Sequence, residues 1–117
     1  MKPEELRDLA INALDDLKGL DIVTMDVRTL TSITDYMIIC TGRSTRHVKA
    51  LAESVASKAK DQQAQFIRTE GERESEWILV DLGDVVVHVM LPNTRSFYSL
   101  EDLWEPVKEL RDNQQPT

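Results

Sequence analysis

The chain has 117 residues, 41% of them hydrophobic, so it is long enough for one domain with a packed core and too short for two ordinary ones. The 21 acidic residues outnumber the 14 basic ones and give a formal charge of -7, which disfavours binding to DNA, to an RNA backbone or to anionic membranes. A single cysteine excludes an internal disulfide, and the acidic N-terminus is unlike a transit peptide. No apolar run approaches the ~20 residues that a membrane-spanning helix needs. Together these features predict a soluble cytoplasmic protein.

The first half of the chain predicts two helices and two strands. Apolar residues from Leu6 to Leu17 recur at helical spacing, which predicts a helix over residues 3–18 with Gly19 as its terminator. Residues 21–27 and 36–41 are rich in β-branched and apolar side chains, which favours strands, and a polar segment joins them. Ser44 is placed to cap a second helix with an apolar face between residues 48 and 59.

A β-hairpin is the clearest local prediction in the second half. The segments WILVDL and VVVHVML flank Gly83 and Asp84, and glycine accepts the positive φ of a tight primed turn. A weak strand over residues 65–69 and a polar loop over residues 69–76 precede the hairpin. Beyond Pro92, a cap at Ser99 and a break at Pro106 predict a short helix and then a second helical segment. This alternation of helix and strand predicts one α/β domain over residues 1–111, followed by a flexible polar tail over residues 112–117.

The hairpin register sorts the side chains onto two faces. One face is wholly apolar and must belong to the core: Ile78, Val80, Leu82, Val85, Val87 and Val89. The other face carries large amphipathic groups and one carboxylate: Trp77, Leu79, Asp81, Val86, His88 and Met90. Aromatic and methionine side chains are enriched at interface centres, so the second face is the candidate partner-binding surface. The alternative is that one of the helices covers it, as often happens in α/β sheets.

Residues 41–45, TGRST, place a glycine at the end of a strand and then open a helix whose free N–H groups could bind an anion. One glycine lacks the pattern of a phosphate-binding loop, so turn geometry is the favoured reason for it. The nucleotidyltransferases use a similar Gly-Ser turn, but they also need two carboxylates at i and i+2 on one strand. Asp81 and Asp84 straddle a turn instead, so we assign no catalytic, metal-binding or cofactor-binding residue.

Cys40 could form a nucleophile and base pair with His47 or His88. It lies inside the apolar strand YMIIC, where a cysteine is usually a buried and inert hydrophobic residue. We therefore favour a packing role for Cys40.

Four longer motifs resemble the bacterial ribosomal silencing factor (Iojap-like) family. They are DLKGLDI from residue 16, SITDYMIICTGRSTRHV from residue 32, EGERESEWILVDLGDVVVHVM from residue 70 and RSFYSLEDLW from residue 95. The match extends over nearly the whole chain up to Trp104, and the motifs in this order are highly specific.

This resemblance implies a mixed β-sheet packed with helices, in a nucleotidyltransferase-like fold without the catalytic carboxylates. It implies no enzymatic activity, and it implies binding to the large ribosomal subunit through ribosomal protein fourteen, where the bound protein blocks joining of the small subunit and represses translation under nutrient limitation. It also implies homodimers off the ribosome. Tyr98 and Glu101, from the YSLEDLW motif, join the predicted partner-binding residues. Two other functions stay open: an enzyme or nucleotide sensor using residues 41–45, and a large-subunit assembly factor.

Overall fold

A computed structural model describes residues 1–98, with the backbone alone for Phe97 and Tyr98. The elements in chain order are α1 (Pro3–Asp16), β1 (Leu20–Asp26), β2 (Tyr36–Thr41), α2 (Thr45–Asp61), β3 (Arg68–Glu70), β4 (Trp77–Asp81), β5 (Val85–Met90) and α3 (Pro92–Tyr98). Within residues 1–98 no helix has the length and hydrophobicity needed to span a bilayer.

The five strands form one sheet in the order β1-β2-β5-β4-β3. Only β2 and β5 are parallel, and the other neighbouring pairs are antiparallel. A parallel pair needs a long crossover connection, which here contains α2, β3 and β4. The predicted α/β fold with a mixed sheet is therefore confirmed.

Helices α1 and α2 pack against each other and against the same face of the sheet. Leu14, Leu51 and Val55 from the helices are fully buried, and they form one cluster with Ile38 and Val87 from the sheet. The Ser54 hydroxyl on α2 also donates a hydrogen bond to the Ala13 carbonyl at 3.2 Å. The apolar stripes predicted on the two helices thus form the main core.

The end of α1 differs from the prediction in one respect. Lys18, with φ 59°, takes the left-handed position, while the Gly19 N–H closes the helix on the Leu14 carbonyl at 2.8 Å. A Cβ added to Gly19 would lie 2.5 Å from the Cys40 Sγ. Glycine is needed here because α1 ends directly against β2, rather than because of a positive φ.

The predicted start of α2 is confirmed. Ser44 has an extended backbone, and its side chain accepts the His47 N–H at 3.1 Å. A Cβ on Gly42 would lie 2.7 Å from the Val48 Cγ2, so the first turn of α2 packs tightly on the end of β2.

The hairpin register is confirmed in full. Trp77 pairs with Met90, Leu79 with His88 and Asp81 with Val86, while Ile78 and Val80 pair with Val89 and Val87. Gly83 has φ 82°, and the Leu82 N–H donates to the Val85 carbonyl at 2.8 Å. The turn therefore has the predicted two-residue geometry with glycine first.

Two boundaries differ from the predictions. The weak strand predicted over residues 65–69 is β3, Arg68–Glu70, because pairing with β4 begins only where Arg68 meets Asp81. Helix α3 starts at Pro92, a residue well suited to the first helical position, so helical structure begins before the predicted cap at Ser99. The segments predicted after Ser99, including the tail, lie outside the described residues.

Candidate partner-binding surface

The sheet face opposite α1 and α2 is here called the open face. In the described chain, both long helices pack on the Ile38, Val80 and Val87 side, so neither of them covers the open face. Cover by α1 or α2 does not occur, whereas the helical segments predicted after Ser99, which belong to the same alternative, lie outside the described residues. All six hairpin residues predicted for partner binding belong to the open face, because each alternates with a core residue along its strand.

Strand pairing arranges the open face in three rows. The central row contains Val23, Ile39, His88, Leu79 and Glu70. The row nearest the hairpin turn contains Met25, Met37, Val86, Asp81 and Arg68. The row at the opposite end contains Thr41, Met90 and Trp77. The face is therefore mainly apolar across β1, β2 and β5, where Thr41 and His88 are the polar members of these rows, and it becomes charged towards the β3 edge.

Four apolar members of this face were missed by sequence reasoning: Val23, Met25, Met37 and Ile39. Val23 and Met25 are half-buried, whereas Met37 and Ile39 are only 8% and 0% exposed. These four residues belong to the open face only because β2 lies beside β5. The strand β2 is buried at every position, so it shows no alternation that could have indicated which of its side chains share a face with the hairpin.

The predicted contact at Met90 needs correction. Met90 is fully buried, so in this conformation it offers no surface to a partner. Met90 pairs directly with Trp77, which is half-buried and therefore has surface that a partner could contact. Met90 is therefore a packing residue beside Trp77 in the same row of the sheet.

Trp77 and His88 form the most specific side-chain pair on the open face. The Trp77 Nε1–H donates a hydrogen bond to the His88 Nδ1 at 3.0 Å, and the ring centroids are 5.8 Å apart with planes inclined at 48°. An Nδ1 that accepts a hydrogen bond places the proton of the neutral imidazole on Nε2. Burial lowers the pKa of His88 from 6.5 to about 4, because the charged imidazolium would lose its hydration. His88 is therefore neutral at physiological pH.

Asp81 has a structural partner in addition to its position on the surface. One carboxylate oxygen accepts the Gly83 N–H at 2.8 Å and so closes the hairpin turn. On the neighbouring strand, Arg68 lies directly opposite Asp81 and forms an ion pair with Glu70. The charged edge of the open face thus contains two carboxylates and one guanidinium.

Backbone and side-chain groups at the TGRST turn form hydrogen bonds within the fold. The Arg43 N–H donates to the His47 Nδ1 at 2.9 Å, and the His47 Nε2 bonds to the Leu17 carbonyl at 2.8 Å. His47 therefore joins the start of α2 to the end of α1, which favours the geometric explanation of the turn over anion binding. Within residues 1–98 no group of three or more His, Cys, Asp or Glu side chains is arranged to hold a metal ion.

Cys40 is fully buried on the helix side of the sheet, whereas His88 lies on the open face. Burial raises the pKa of the Cys40 thiol to about 11, which disfavours the thiolate that a nucleophile requires. The two ring nitrogens of His47 bond to the Arg43 N–H and to the Leu17 carbonyl rather than to the thiol. The burial predicted for Cys40 is confirmed.

The chain is similar to known proteins over most of its length. A family described as "Ribosomal silencing factor during starvation" matches residues 1–117. The chain belongs to this family. It is 51% identical over 104 residues to a ribosomal silencing factor of Chromobacterium violaceum, an alignment that covers 89% of this chain and 85% of that protein.

Solved and more distant relatives extend the family comparison. A crystal structure of a Chromobacterium violaceum protein superposes with a TM-score of 0.87 at 47% identity, covering 100% of this chain and 92% of that one. A mouse protein named "Mitochondrial assembly of ribosomal large subunit protein 1" is 34% identical over 100 residues, which are 83% of this chain and 44% of the mouse protein. The fold is therefore the fold of the family.

Two predicted residues come from the family motif YSLEDLW. The backbone of Tyr98 forms the last residue of α3, and Glu101 lies outside the described residues. Helix α3 nevertheless approaches the open face, since Thr94 and Trp77 line the same cleft of about 360 Å³. The segment leading into the motif thus lies next to the Trp77 end of the surface.

Proposed function

We propose that this protein binds the large ribosomal subunit through its open face, by contacting ribosomal protein fourteen at the intersubunit surface, and that the bound protein prevents the small subunit from joining. Translation would then fall when nutrients are scarce, in keeping with the family description of silencing during starvation. No chemical step is needed, because a folded domain at a subunit bridge excludes the other subunit sterically.

The observation that carries the proposal is the composition of the open face. Trp77, Leu79, Val86 and His88 are half-buried, and they lie side by side on a rigid hairpin that α1 and α2 leave uncovered. Half-buried aromatic and aliphatic side chains on a fixed backbone lose little entropy when a partner covers them. Such a surface suits a protein partner of matching shape.

Charge favours a basic protein over RNA as the direct contact. The chain has a formal charge of -7, and the open face carries Glu70 and Asp81 beside Arg68. Complementary charge speeds encounter and fixes the register of a complex, whereas phosphate backbones would be repelled. We therefore expect binding to ribosomal protein fourteen with little direct contact to RNA and none to DNA.

The test is sedimentation of the purified protein through sucrose gradients with large subunits, small subunits and intact ribosomes. We expect co-sedimentation with large subunits and a lower yield of intact ribosomes when the subunits are mixed in its presence. Isolated ribosomal protein fourteen should bind too. Trp77→Ala should lose both effects, while Lys49→Ala, an exposed change on α2, should retain both. The proposal would be contradicted if the protein bound only to naked large-subunit RNA and if that binding depended steeply on salt concentration.

A role in assembly of the large subunit is the second candidate, and the name of the mouse relative favours it. An assembly factor would bind incomplete large subunits more tightly than mature ones, whereas a silencing factor would bind mature subunits at least as well. The same gradients, loaded with immature particles, separate the two. Sedimentation of the free protein also tests the homodimer implied by the family resemblance.

A further inference from the structure

The imidazole of His88 uses one ring nitrogen within the fold. Its Nδ1 accepts the Trp77 Nε1–H at 3.0 Å, which leaves the single proton of the neutral ring on Nε2. Nε2 is the ring nitrogen farther from the backbone, and side chains stand roughly perpendicular to a sheet, so this N–H lies at the outer tip of the side chain. Within residues 1–98 the His88 ring has no hydrogen-bond partner besides Trp77. The Nε2–H is therefore a donor that the described part of the chain leaves unused.

The neighbours of this donor on the open face are apolar. In the central row, His88 lies between Leu79 and Ile39, and two residues away along β5 it is flanked by Val86 and Met90. A partner that covers these residues also removes the donor from water, and a buried N–H without an acceptor is costly. The partner must therefore offer a hydrogen-bond acceptor at this point.

The charges near the donor favour an uncharged acceptor. Glu70 lies in the same row two strands from His88, which at a strand spacing of about 4.8 Å places their backbones about 10 Å apart. Asp81 lies in the neighbouring row, and Arg68 opposite it is ion-paired with Glu70. Two carboxylates and one guanidinium leave this edge negative, so a carboxylate of the partner would be repelled. A carbonyl oxygen would not.

We propose that His88 is a specificity-determining contact: its Nε2–H donates to an uncharged carbonyl oxygen of the protein partner, and Trp77 fixes the tautomer that makes this donor available. The proposal rests on the proposed function, because it assigns the chemistry of one contact on the same surface. Without the Trp77 N–H, the ring can also carry its proton on Nδ1, and the lone pair on Nε2 then repels a carbonyl oxygen. Lysine and arginine side chains have no acceptor, so even a basic partner must present a carbonyl group here.

The first measurement is the tautomer of His88, read from the ring nitrogen chemical shifts of the isotope-labelled free protein at neutral pH. Wild type should contain the Nε2–H form. The Nδ1–H form should appear beside it in Trp77→Phe, which keeps an aromatic ring but has no N–H. His47 is an internal reference, since its Nδ1 accepts the Arg43 N–H and its shifts should not change. A wild-type His88 ring with its proton on Nδ1 would overturn the proposal.

The second measurement is the dissociation constant for purified large subunits. His88→Gln carries an amide N–H near the position of Nε2 and should bind within about threefold of wild type. His88→Asn reaches only the position of Nδ1 and should bind tenfold or more weakly. Trp77→Phe should weaken binding several-fold in the wild-type background and less than twofold in His88→Asn, because the ring whose tautomer it sets is then missing. The advantage of wild type over His88→Asn should persist at high salt, since neither group is charged.

Melting curves ensure that only folded variants are compared. Equal binding by wild type and His88→Asn, or additive losses for Trp77→Phe and His88→Asn, would overturn the proposal. An advantage of wild type that disappears at high salt would indicate a charged acceptor and would overturn it too. If wild type binds neither large subunits nor ribosomal protein fourteen, the proposed function itself fails. If Trp77→Ala abolishes binding and His88→Asn does not weaken it, only the assignment of His88 fails.

Discussion

The Trp77 indole donates its N–H to the His88 Nδ1 across the β4–β5 hairpin at 3.0 Å. The two residues are diagonal neighbours on the open face, since Trp77 pairs with Met90 and His88 pairs with Leu79. Protonation of His88 at Nδ1 would remove the acceptor, so the geometry of this surface is coupled to the protonation state of one imidazole.

The first prediction concerns stability against pH. In the unfolded chain His88 titrates near 6.5, and in the folded protein its pKa is about 4. Between these values the unfolded state binds more protons, so the free energy of unfolding should fall as pH drops from 6.5 towards 4, by up to about 1.4 kcal/mol per pH unit from this group. Urea unfolding at several pH values measures it.

His88→Asn is the matched control for that experiment. The asparagine side chain can offer an acceptor near the position of Nδ1 but does not titrate, so this variant should have a shallower pH dependence than wild type. Identical slopes for the two proteins would show that burial of His88 does not govern acid stability.

The second prediction separates the open face from the core. Trp77→Ala should weaken binding to ribosomal protein fourteen by about 1 to 4 kcal/mol, as truncation of an interface hot spot does, and the protein should stay folded. Val87→Asp places an unpaired charge at a fully buried position and should unfold the protein. Melting curves and binding isotherms are recorded for both. If Trp77→Ala is as unstable as Val87→Asp, and the folded fraction of Trp77→Ala still blocks subunit joining, then Trp77 belongs to the core.

The third prediction distinguishes the two roles of Asp81. Asp81→Ala removes the acceptor for the Gly83 N–H and should destabilise the protein by about 1 kcal/mol. Asp81→Asn keeps an acceptor oxygen and should be nearly as stable as wild type. If the negative charge contacts a basic partner, Asp81→Asn and Asp81→Lys should weaken binding in that order. Equal binding by folded wild type and Asp81→Lys would remove Asp81 from the contact surface.

The fourth prediction tests the contact between α1 and β2. Gly19→Ala should destabilise the protein by about 1 to 3 kcal/mol, because the new methyl group would lie 2.5 Å from the Cys40 Sγ. Cys40→Ala removes the sulfur and should reduce the cost of the Gly19 change. Thermal unfolding of the two single variants and the double variant measures the coupling, and strictly additive effects would argue against this contact.

The fifth prediction concerns catalysis and nucleotide binding. The Asp81 carboxylate closes a turn, and the Arg43 N–H is bonded to His47, so neither is arranged as a magnesium or phosphate ligand. Adding magnesium and nucleoside triphosphates should leave the melting temperature unchanged, since any ligand of the native state would raise it. Magnesium-dependent turnover that disappears in Asp81→Asn would overturn the non-enzymatic interpretation.

Local chemistry explains which parts of this structure could be predicted. The hairpin needs only a glycine turn and alternating side chains, and the Ser44 cap needs only one side chain three residues from its donor. Both features join residues close in sequence, so their patterns can be read directly. The end of α1 was less predictable, because Gly19 is required by contact with Cys40, a residue far along the chain.

By itself the sequence determined the α/β class, the hairpin register and the two faces of the hairpin. Only the tertiary structure decided that α1 and α2 share one face, that β2 lies beside β5, and that Met90 is too buried to meet a partner. The physical reason is that all six residues of β2 are buried, so its sequence does not show which side chains face the helices and which face the open face. Its pairing with residues 85–90 is long-range, so packing of the whole sheet decided the extent of the open face.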